Sequence, residues 1–272
     1  MNPKPRKRFA QHWLKSEEAL DSIAEAANLQ KSDRVLEIGP GTGVLTSRLL
    51  PQVRAVVAVE IDRDLCKKLV KSLGKQENFL LLQGDILSLD LDSLLVPFPR
   101  FQAPNKVVAN IPYNITGPIL EKLLGTIREP SQTEYDLIVL LMQKEVADRL
   151  VAEPGTKAFG ALSVRVQYLA TCEYICCVPS KAFYPAPKVD SAVVRLIPRS
   201  VLPAVINPNN LDILVKLGFA NRRKMLKNNL KSIVESDRLV QLLEKLNINP
   251  QSRAENLSLQ DWITLSNNLQ GE

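Results

Sequence analysis

Apolar residues in the first 200 positions form short continuous runs that alternate with amphipathic segments. Runs of roughly four to eight apolar residues are typical of strands buried on both faces of a sheet. The predicted strands lie at residues 33–39, 54–61, 78–85, 105–110 and 135–143. Helical periodicity separates them at residues 16–29, 44–50, 64–73, 117–127 and 143–152. Strands and helices in alternation predict a parallel sheet with helices on both faces.

The pattern changes in the last part of the chain. Residues 161–170 are predicted to be a helix, and residues 173–179 and 191–198 are predicted to be strands at an antiparallel edge. From about residue 207 onward the spacing of apolar residues indicates helices only. We therefore expect an α/β domain over residues 1–200 and a small all-α domain over residues 201–272.

The composition allows a sizeable core, since 45% of the residues are hydrophobic. The formal net charge of +6 suits a polyanionic partner, although a soluble protein can also simply be basic. No apolar run reaches the ~18 residues that a membrane-spanning helix needs, and the N-terminus lacks the apolar region of a secretory signal. With one histidine and four cysteines in no zinc-binding spacing, we expect no metal and a cytoplasmic protein.

A glycine-rich turn follows the first predicted strand. Gly39, Gly41 and Gly43 follow a G-x-G-x-G spacing that differs from the G-x-G-x-x-G fingerprint of dinucleotide sites. Glu60 ends the second strand, where a carboxylate can bind ribose hydroxyls, and Asp85 ends the third, where one can accept from an adenine amine. The alternative for the glycines is a tight turn with no ligand, and the alternative for each acid is a solvated residue at a strand end. Asp62 is an alternative to Glu60 as the ribose ligand. Together the features resemble the cofactor site of class I S-adenosylmethionine-dependent methyltransferases.

The sequence Asn110-Ile111-Pro112-Tyr113 stands at the end of the fourth predicted strand. An amine of adenine is a poor nucleophile because its lone pair is delocalised into the ring. Acceptors on its N–H bonds would localise that lone pair, and the Asn110 carboxamide is one such acceptor. Pro112 has no N–H, so the carbonyl of Asn110 or Ile111 is free to be the second. The ring of Tyr113 can stack on the base.

Here the resemblance becomes specific. Asn-Ile-Pro-Tyr-Asn-Ile-Thr-Gly-Pro-Ile, residues 110–119, closely resembles the ribosomal RNA adenine dimethyltransferases. Residues 11–14 resemble their N-terminal Q-[NH]-F-L segment, with Trp in place of Phe. Residues 183–194 resemble their post-catalytic loop, and residues 219–230 resemble their C-terminal helix, with Asn221 and Met225 as the main variations. The resemblance covers nearly the whole chain and implies a Rossmann-like class I methyltransferase sheet with a helical C-terminal domain.

The resemblance implies a substrate and a set of contacts. By this resemblance, the protein would transfer methyl groups from S-adenosylmethionine to two adjacent adenosines in the last hairpin loop of small-subunit (16S) ribosomal RNA. It places the cofactor against the glycine turn with Gly41 and against His12, Leu14, Gly39, Glu60, Asp85 and Asn110. Phe183 would face Tyr113 and clamp the flipped base, with packing in the core as its alternative. A lone histidine such as His12 could otherwise be an ordinary surface residue.

Basic residues near both ends could contact RNA phosphates. Arg222, Arg223, Lys224, Lys227 and Lys231 lie in a predicted helix over residues 221–234, with the three lysines on one face. The alternative is a solvated helix face. A basic segment at the N-terminus contains Lys4, Arg6, Lys7 and Arg8.

These features leave three interpretations. The favoured one is a monomeric enzyme acting on the small ribosomal subunit. Its rivals are a large-subunit ribosomal RNA adenine methylase and a non-catalytic ribosome-assembly or RNA-binding factor. Asn110, Glu60 and Asp85 are all present, which favours an active enzyme.

Overall fold

A computed structural model describes residues 5–6, 11–133, 135–199, 203 and 205–269 of the chain. The chain divides into two compact units. We call Met1–Leu123, Thr133–Ala147 and Glu173–Pro198 the sheet unit, and Leu124–Gln132, Asp148–Cys172 and Arg199–Glu272 the helical unit. The predicted domain boundary after residue 200 adjoins residues 200–202, which lie outside the described residues, and it stays a prediction.

The sheet unit is built on a seven-stranded sheet. Its strands are β2 (Arg34–Ile38), β3 (Ala55–Glu60), β4 (Phe79–Gln83), β5 (Lys106–Asn110), β6 (Leu137–Gln143), β7 (Ala170–Val178) and β9 (Ser191–Pro198). They are ordered β4-β3-β2-β5-β6-β9-β7, and the first five are parallel. Strand β9 runs antiparallel to β6, so the expected Rossmann-like fold and its antiparallel edge are confirmed.

Six α-helices lie before residue 151 in the described part of the chain. They are α1 (Glu17–Ala26), α2 (Val44–Leu49), α3 (Arg63–Leu73), α4 (Leu91–Leu95), α5 (Thr116–Leu124) and α6 (Lys144–Leu150). Helix α1 begins after its N-cap, Ser16, whose hydroxyl accepts the N–H of Ala19 at 3.2 Å. Helix α4 was not predicted, since its five residues are too few to show a period.

A second, two-stranded sheet joins distant parts of the sequence. Strand β1 (Trp13–Leu14) pairs antiparallel with β8 (Phe183–Tyr184), and the N–H of Lys15 donates to the carbonyl of Ala182 at 2.8 Å. Two-residue strands carry no hydrophobic period, so the sequence could not show this pairing. This pairing joins residues 13–14 to the segment that precedes β9.

The parallel register brings the strand ends to one edge of the sheet. Glu60 at the end of β3 is level with Gln83 at the end of β4, and Asn110 ends β5. All six residues of β3 are buried, as expected for a central strand covered on both faces. Glu60 and Asn110 therefore stand where strands end, which is where open α/β sheets bind ligands.

The helical unit contains α7 (Ala161–Leu169), α8 (Pro208–Gly218), α9 (Leu226–Leu230), α10 (Ser236–Lys245) and α11 (Leu259–Asn268). Phe159 and the fully buried Trp262 both pack against Phe219, with ring centroids 6.4 and 5.6 Å from it. The expected all-α character of the C-terminal part is confirmed.

The predicted helix over residues 221–234 is wrong in its extent. Only Leu226–Leu230 are α-helical, and residues 221–224 form turns. The Asn229 carboxamide donates to the carbonyls of Gly218 at 2.6 Å and Asn221 at 3.0 Å. These bonds satisfy carbonyls at the end of α8 and close a turn before α9 begins. Lys224 therefore does not share a helix face with Lys227 and Lys231.

Candidate active site

A cavity opens at the carboxyl edge of the sheet, inside the sheet unit. Its empty volume is about 710 Å³, a figure that includes space open to solvent. Nine of the residues singled out from the sequence line it: His12, Gly39, Gly41, Glu60, Asp85, Asn110, Ile111, Pro112 and Tyr113. The fold thus brings the glycine turn, the two acids and the Asn-Ile-Pro-Tyr turn to one place.

The glycine turn has the backbone conformation that its sequence predicts. Gly39, Gly41 and Gly43 have φ values of +69°, +58° and +82°, which residues with a side chain rarely adopt. A Cβ on Gly41 would lie 3.4 Å from the indole of Trp13, and one on Gly43 would lie 2.9 Å from Leu69. A side chain would therefore crowd Trp13 at position 41 or Leu69 at position 43, and Gly39 and Gly41 line the cavity.

Glu60 is held by main-chain donors on both sides. It is buried, its Oε1 accepts the N–H of Asp62 at 2.8 Å, and its Oε2 accepts the N–H of Gly41 at 3.1 Å. Burial raises the pKa of Glu60, and the two N–H donors act in the opposite direction. Each carboxylate oxygen keeps a further lone pair, so Glu60 can accept from ribose hydroxyls while its position stays fixed.

A second buried carboxyl lies behind the turn and was not assigned from the sequence. Glu37 in β2 is 1% exposed, and burial, together with repulsion from Glu60, raises its pKa to about 8. It therefore carries its proton at neutral pH. The feature of the sequence that indicates a buried carboxyl here is an acid within a largely apolar predicted strand. Glu37 does not line the cavity, and it stands two positions before Gly39, which does.

Asp85 and Asp62 have different surroundings. Asp85 lines the cavity, half-buried, and its Oδ1 accepts the N–H of Leu87 at 3.0 Å. Asp62 is buried and caps α3 through the N–H of Asp64 at 2.9 Å. Because Asp62 is occupied as a cap and does not line the cavity, Glu60 is the better ribose ligand of the two.

The N-terminal segment is tied to Asp62. The Arg6 guanidinium pairs with Asp62 at 3.0 Å and also with Asp64, and the Gln11 carboxamide donates to Asp62 at 3.1 Å. Gln11 also accepts the N–H of Arg6 at 2.8 Å. Arg6 thus has carboxylate partners, and its expected contact with RNA phosphates stays a prediction. The other predicted basic residues of this segment, Lys4, Lys7 and Arg8, lie outside the described residues.

The carboxamide of Asn110 is oriented by the N-terminal segment. Its Nδ2 donates to the carbonyl of His12 at 3.3 Å, which leaves Oδ1 as the acceptor. The N–H of Ile111 donates to the carbonyl of Leu141 at 3.1 Å and fixes the end of β5. Pro112 follows with φ −61° and ψ 130°, so the chain leaves the strand in an extended turn.

His12 and Tyr113 form a stacked pair in the cavity wall. Their ring centroids are 5.7 Å apart and their planes differ by 17°. The His12 ring meets the carbonyl of Pro185 through Nδ1 at 2.7 Å, and Tyr113 meets Ser191 through its hydroxyl at 2.5 Å. Burial raises the pKa of Tyr113, so its hydroxyl keeps its proton at neutral pH.

Phe183 and Leu14 are placed in the core. They are 4% and 6% exposed, belong to one apolar cluster and do not line the cavity. The exposed aromatic side chain of the loop is the neighbouring Tyr184. The base-stacking role of Phe183 and the cofactor contact of Leu14 stay predictions that rest on the resemblance.

The predicted RNA-binding residues lie in the helical unit and differ among themselves. The Arg222 guanidinium donates to the carbonyls of Lys157 at 2.7 Å and Phe159 at 3.0 Å and pairs with Glu255 at 2.8 Å. Arg223, Lys224 and Lys231 are exposed, and Lys227 is half-buried. Arg222 is exposed too, but its guanidinium is engaged by these partners.

Among Rossmann-like proteins, a glycine turn of this spacing together with an amine-holding Asn-Ile-Pro-Tyr turn defines a methyltransferase. Comparison with known proteins gives the family. The family described as "Ribosomal RNA adenine dimethylase" matches residues 2–271. The protein belongs to this ribosomal RNA adenine dimethylase family.

Relatives and solved structures agree with this assignment. The "Ribosomal RNA small subunit methyltransferase A" of Rippkaea orientalis is 69% identical over 268 residues, with 98% of each chain covered. The protein of the same name from Nostoc punctiforme is 66% identical over 272 residues, covering 98% of this chain and 95% of the relative. A dimethyladenosine transferase from Plasmodium falciparum has a TM-score of 0.76 and 29% identity, covering 93% and 96% of the two chains. The 23S rRNA methyltransferase ErmE has a TM-score of 0.75 and 27% identity, covering 94% and 99%.

Neither a membrane-spanning helix nor a metal-binding cluster is found in the described part of the chain. No described helix is long and apolar enough to cross a membrane. No group of three or more His, Cys, Asp or Glu residues among the described residues could hold a metal ion.

Proposed function

We propose that the protein transfers methyl groups from S-adenosylmethionine to the N6 amines of two adjacent adenosines in the 3′-terminal hairpin loop of 16S ribosomal RNA. The products are N6,N6-dimethyladenosines, formed during assembly of the small subunit. The observation that carries this proposal is the Asn110 carboxamide, oriented by the His12 carbonyl in a cavity shared with Glu60 and Asp85. The names of the relatives support the small subunit as the target.

The residues of the cavity fit the cofactor. S-adenosylmethionine supplies a methyl group that is already activated on a sulfonium. Gly39 and Gly41 leave the main chain open to a ligand, and the buried Glu60 is a fixed acceptor for ribose hydroxyls. Asp85 can accept from the adenine amine of the cofactor, and His12 lines the same cavity.

Asn110 and Tyr113 serve the target base. The Asn110 Oδ1 accepts one N–H of the adenine amine, and a carbonyl before Pro112 accepts the other, which localises the nitrogen lone pair. The Tyr113 ring stacks on the base, a contact worth ~1–3 kcal/mol. Holding the amine in line contributes most of the rate, because proximity and orientation replace a bimolecular encounter. The proton leaves only after alkylation, so no base is needed beforehand.

Phosphate contacts supply most of the affinity for RNA. Arg223, Lys224, Lys227 and Lys231 are the proposed contacts, and Arg222 supports the segment that carries them. The enzyme acts as a monomer in the cytoplasm on the small subunit. A large-subunit target is disfavoured because the relatives at 66–69% identity carry small-subunit names, although ErmE shares the fold.

The test is methyl transfer from labelled S-adenosylmethionine to small subunits that lack the modification. We expect label on two adjacent adenosines of the terminal hairpin loop, mapped by primer extension and mass spectrometry. Large subunits are the control and should take up no label. Label on large-subunit RNA, or binding of small subunits with no transfer, would overturn the proposal in favour of one of its two rivals.

A further inference from the structure

The hydroxyl of Tyr113 has a partner that the reaction does not require. Its oxygen lies 2.5 Å from Oγ of Ser191. Ser191 is the first residue of β9 and is fully buried, level with Gln143 of β6. Ser191 does not line the cavity, whereas Tyr113 does. A buried hydroxyl at the start of β9 therefore reaches an aromatic side chain of the cavity wall.

Other contacts restrain the same tyrosine. The His12 ring stacks on it, and His12 is in turn held by the carbonyl of Pro185. The hydroxyl of Thr116 donates to the Tyr113 carbonyl at 3.2 Å. The restraints on Tyr113 thus come from the N-terminal segment, from α5 and from β9, three separate parts of the sequence. Among the contacts made by the described residues, the bond to Ser191 is the one at the far end of the side chain.

We propose that Ser191 is a positioning residue for methyl transfer, whose hydroxyl holds the Tyr113 ring in the orientation that receives the adenine. This rests on the proposed function, because it assumes that a planar base stacks on Tyr113. A ring that rotates freely would present the right face for only part of the time. The rate and apparent affinity of a site fall in proportion to the fraction of molecules in the competent conformation.

The chemistry of the pair fits a positioning role. The phenol remains protonated, so it can donate to the Ser191 Oγ, and its own reactivity is not used. Because the hydroxyl points to Ser191, the target base meets the ring of Tyr113. Ser191 therefore acts through Tyr113 and does not touch the substrate.

The experiment is a double-mutant cycle with Ser191→Ala, Tyr113→Phe and the double variant, in the full-length protein. Tyr113→Phe keeps the ring and removes the hydroxyl, so both single variants lose the same bond. We expect each to lower kcat for methylation of small subunits by about five- to twentyfold, with the Kd for S-adenosylmethionine changed by less than about twofold. In the double variant kcat should fall no further than in the worse single variant.

The cycle separates positioning from a general effect on folding. If Ser191→Ala acted by destabilising the protein and not through Tyr113, it would lower kcat again in the Tyr113→Phe background. Such additivity would overturn the proposal. Wild-type kcat in Ser191→Ala would do the same. Ser163→Ala is the matched control, since Ser163 is a fully buried serine of the helical unit whose hydroxyl donates to the carbonyl of Arg149. Its effect should be the same with and without the Tyr113 hydroxyl.

The result is also distinguishable from failure of the proposed function. If the wild-type protein does not methylate the small subunit, the function is wrong and the cycle has no signal. If the wild-type protein is active and the two substitutions act independently, only the role of Ser191 is lost. Thermal unfolding of all four proteins identifies any variant that is poorly folded.

Discussion

The sheet unit and the helical unit use polar residues in opposite ways. In the sheet unit, Glu60 and Asn110 are held by main-chain partners and meet at one cavity. In the helical unit, Arg223, Lys224 and Lys231 are exposed side chains on the turns before and after α9. The first arrangement fixes atoms for a reaction, and the second offers charge to a large anion. Chemistry at a strand end can thus be located from sequence, whereas individual phosphate contacts cannot.

Substitutions of Phe183 test whether this side chain packs in the core of the sheet unit or stacks on the target base. Because it packs in the core, Phe183→Ala should lower the free energy of unfolding by about 3–5 kcal/mol, measured by denaturant titration. Phe183→Leu should restore most of that stability and most of the methyl-transfer activity. A Leu variant of normal stability that transfers methyl groups far more slowly would instead favour base stacking.

Glu60 tests the cofactor site. Glu60→Ala removes acceptors for ribose hydroxyls and should weaken binding of S-adenosylmethionine by ~1–3 kcal/mol, measured by calorimetry. Glu60→Gln keeps one oxygen and should lie between this variant and the wild type. Asp64→Ala, an exposed acid just beyond the strand end, is the comparison and should bind normally. Unchanged affinity in Glu60→Ala would mean that the cofactor is held elsewhere.

Arg222 and Arg223 are adjacent and give a matched pair in the helical unit. Arg222→Ala removes hydrogen bonds to Lys157, Phe159 and Glu255 and should lower the free energy of unfolding by about 1 kcal/mol. Arg223→Ala should change stability by less than about 0.5 kcal/mol. It should instead lower the slope of subunit binding against log salt by about one. Equal effects of the two substitutions on stability would contradict the difference drawn between them.

Much of the fold follows from the sequence because buried parallel strands are continuous apolar runs. The end of each such run gives the position of a site residue, and Glu60, Asp85 and Asn110 all line the predicted cavity. The glycine spacing gave the turn, since only glycine readily adopts the positive φ values observed there.

Other features depend on contacts between distant residues and leave no local pattern. Apolar Phe183 on a proline-containing loop can stack or pack, and the pairing of β8 with β1 places it in the core. The spacing of basic residues over 221–234 is typical of a helix. In the structure the Asn229 carboxamide donates to the carbonyl of Gly218, and the helix covers only Leu226–Leu230. The sequence suggested that Arg6 contacts RNA phosphates. Its ion pairs with Asp62 and Asp64 could not be predicted, because these partners lie more than fifty positions away in the sequence.

The central claim is that Asn110 contributes to the reaction and not to RNA binding. The direct measurement is the single-turnover rate of methyl transfer by Asn110→Ala, with small-subunit binding measured on the same preparation and Asn268→Ala, an exposed asparagine on α11, as the control. We expect transfer at least about a hundredfold slower, a barrier increase of ~2.7 kcal/mol or more, with subunit binding and its salt dependence close to wild type. The control should match the wild type in both. An Asn110→Ala protein that methylates the small subunit at the wild-type rate would contradict the account.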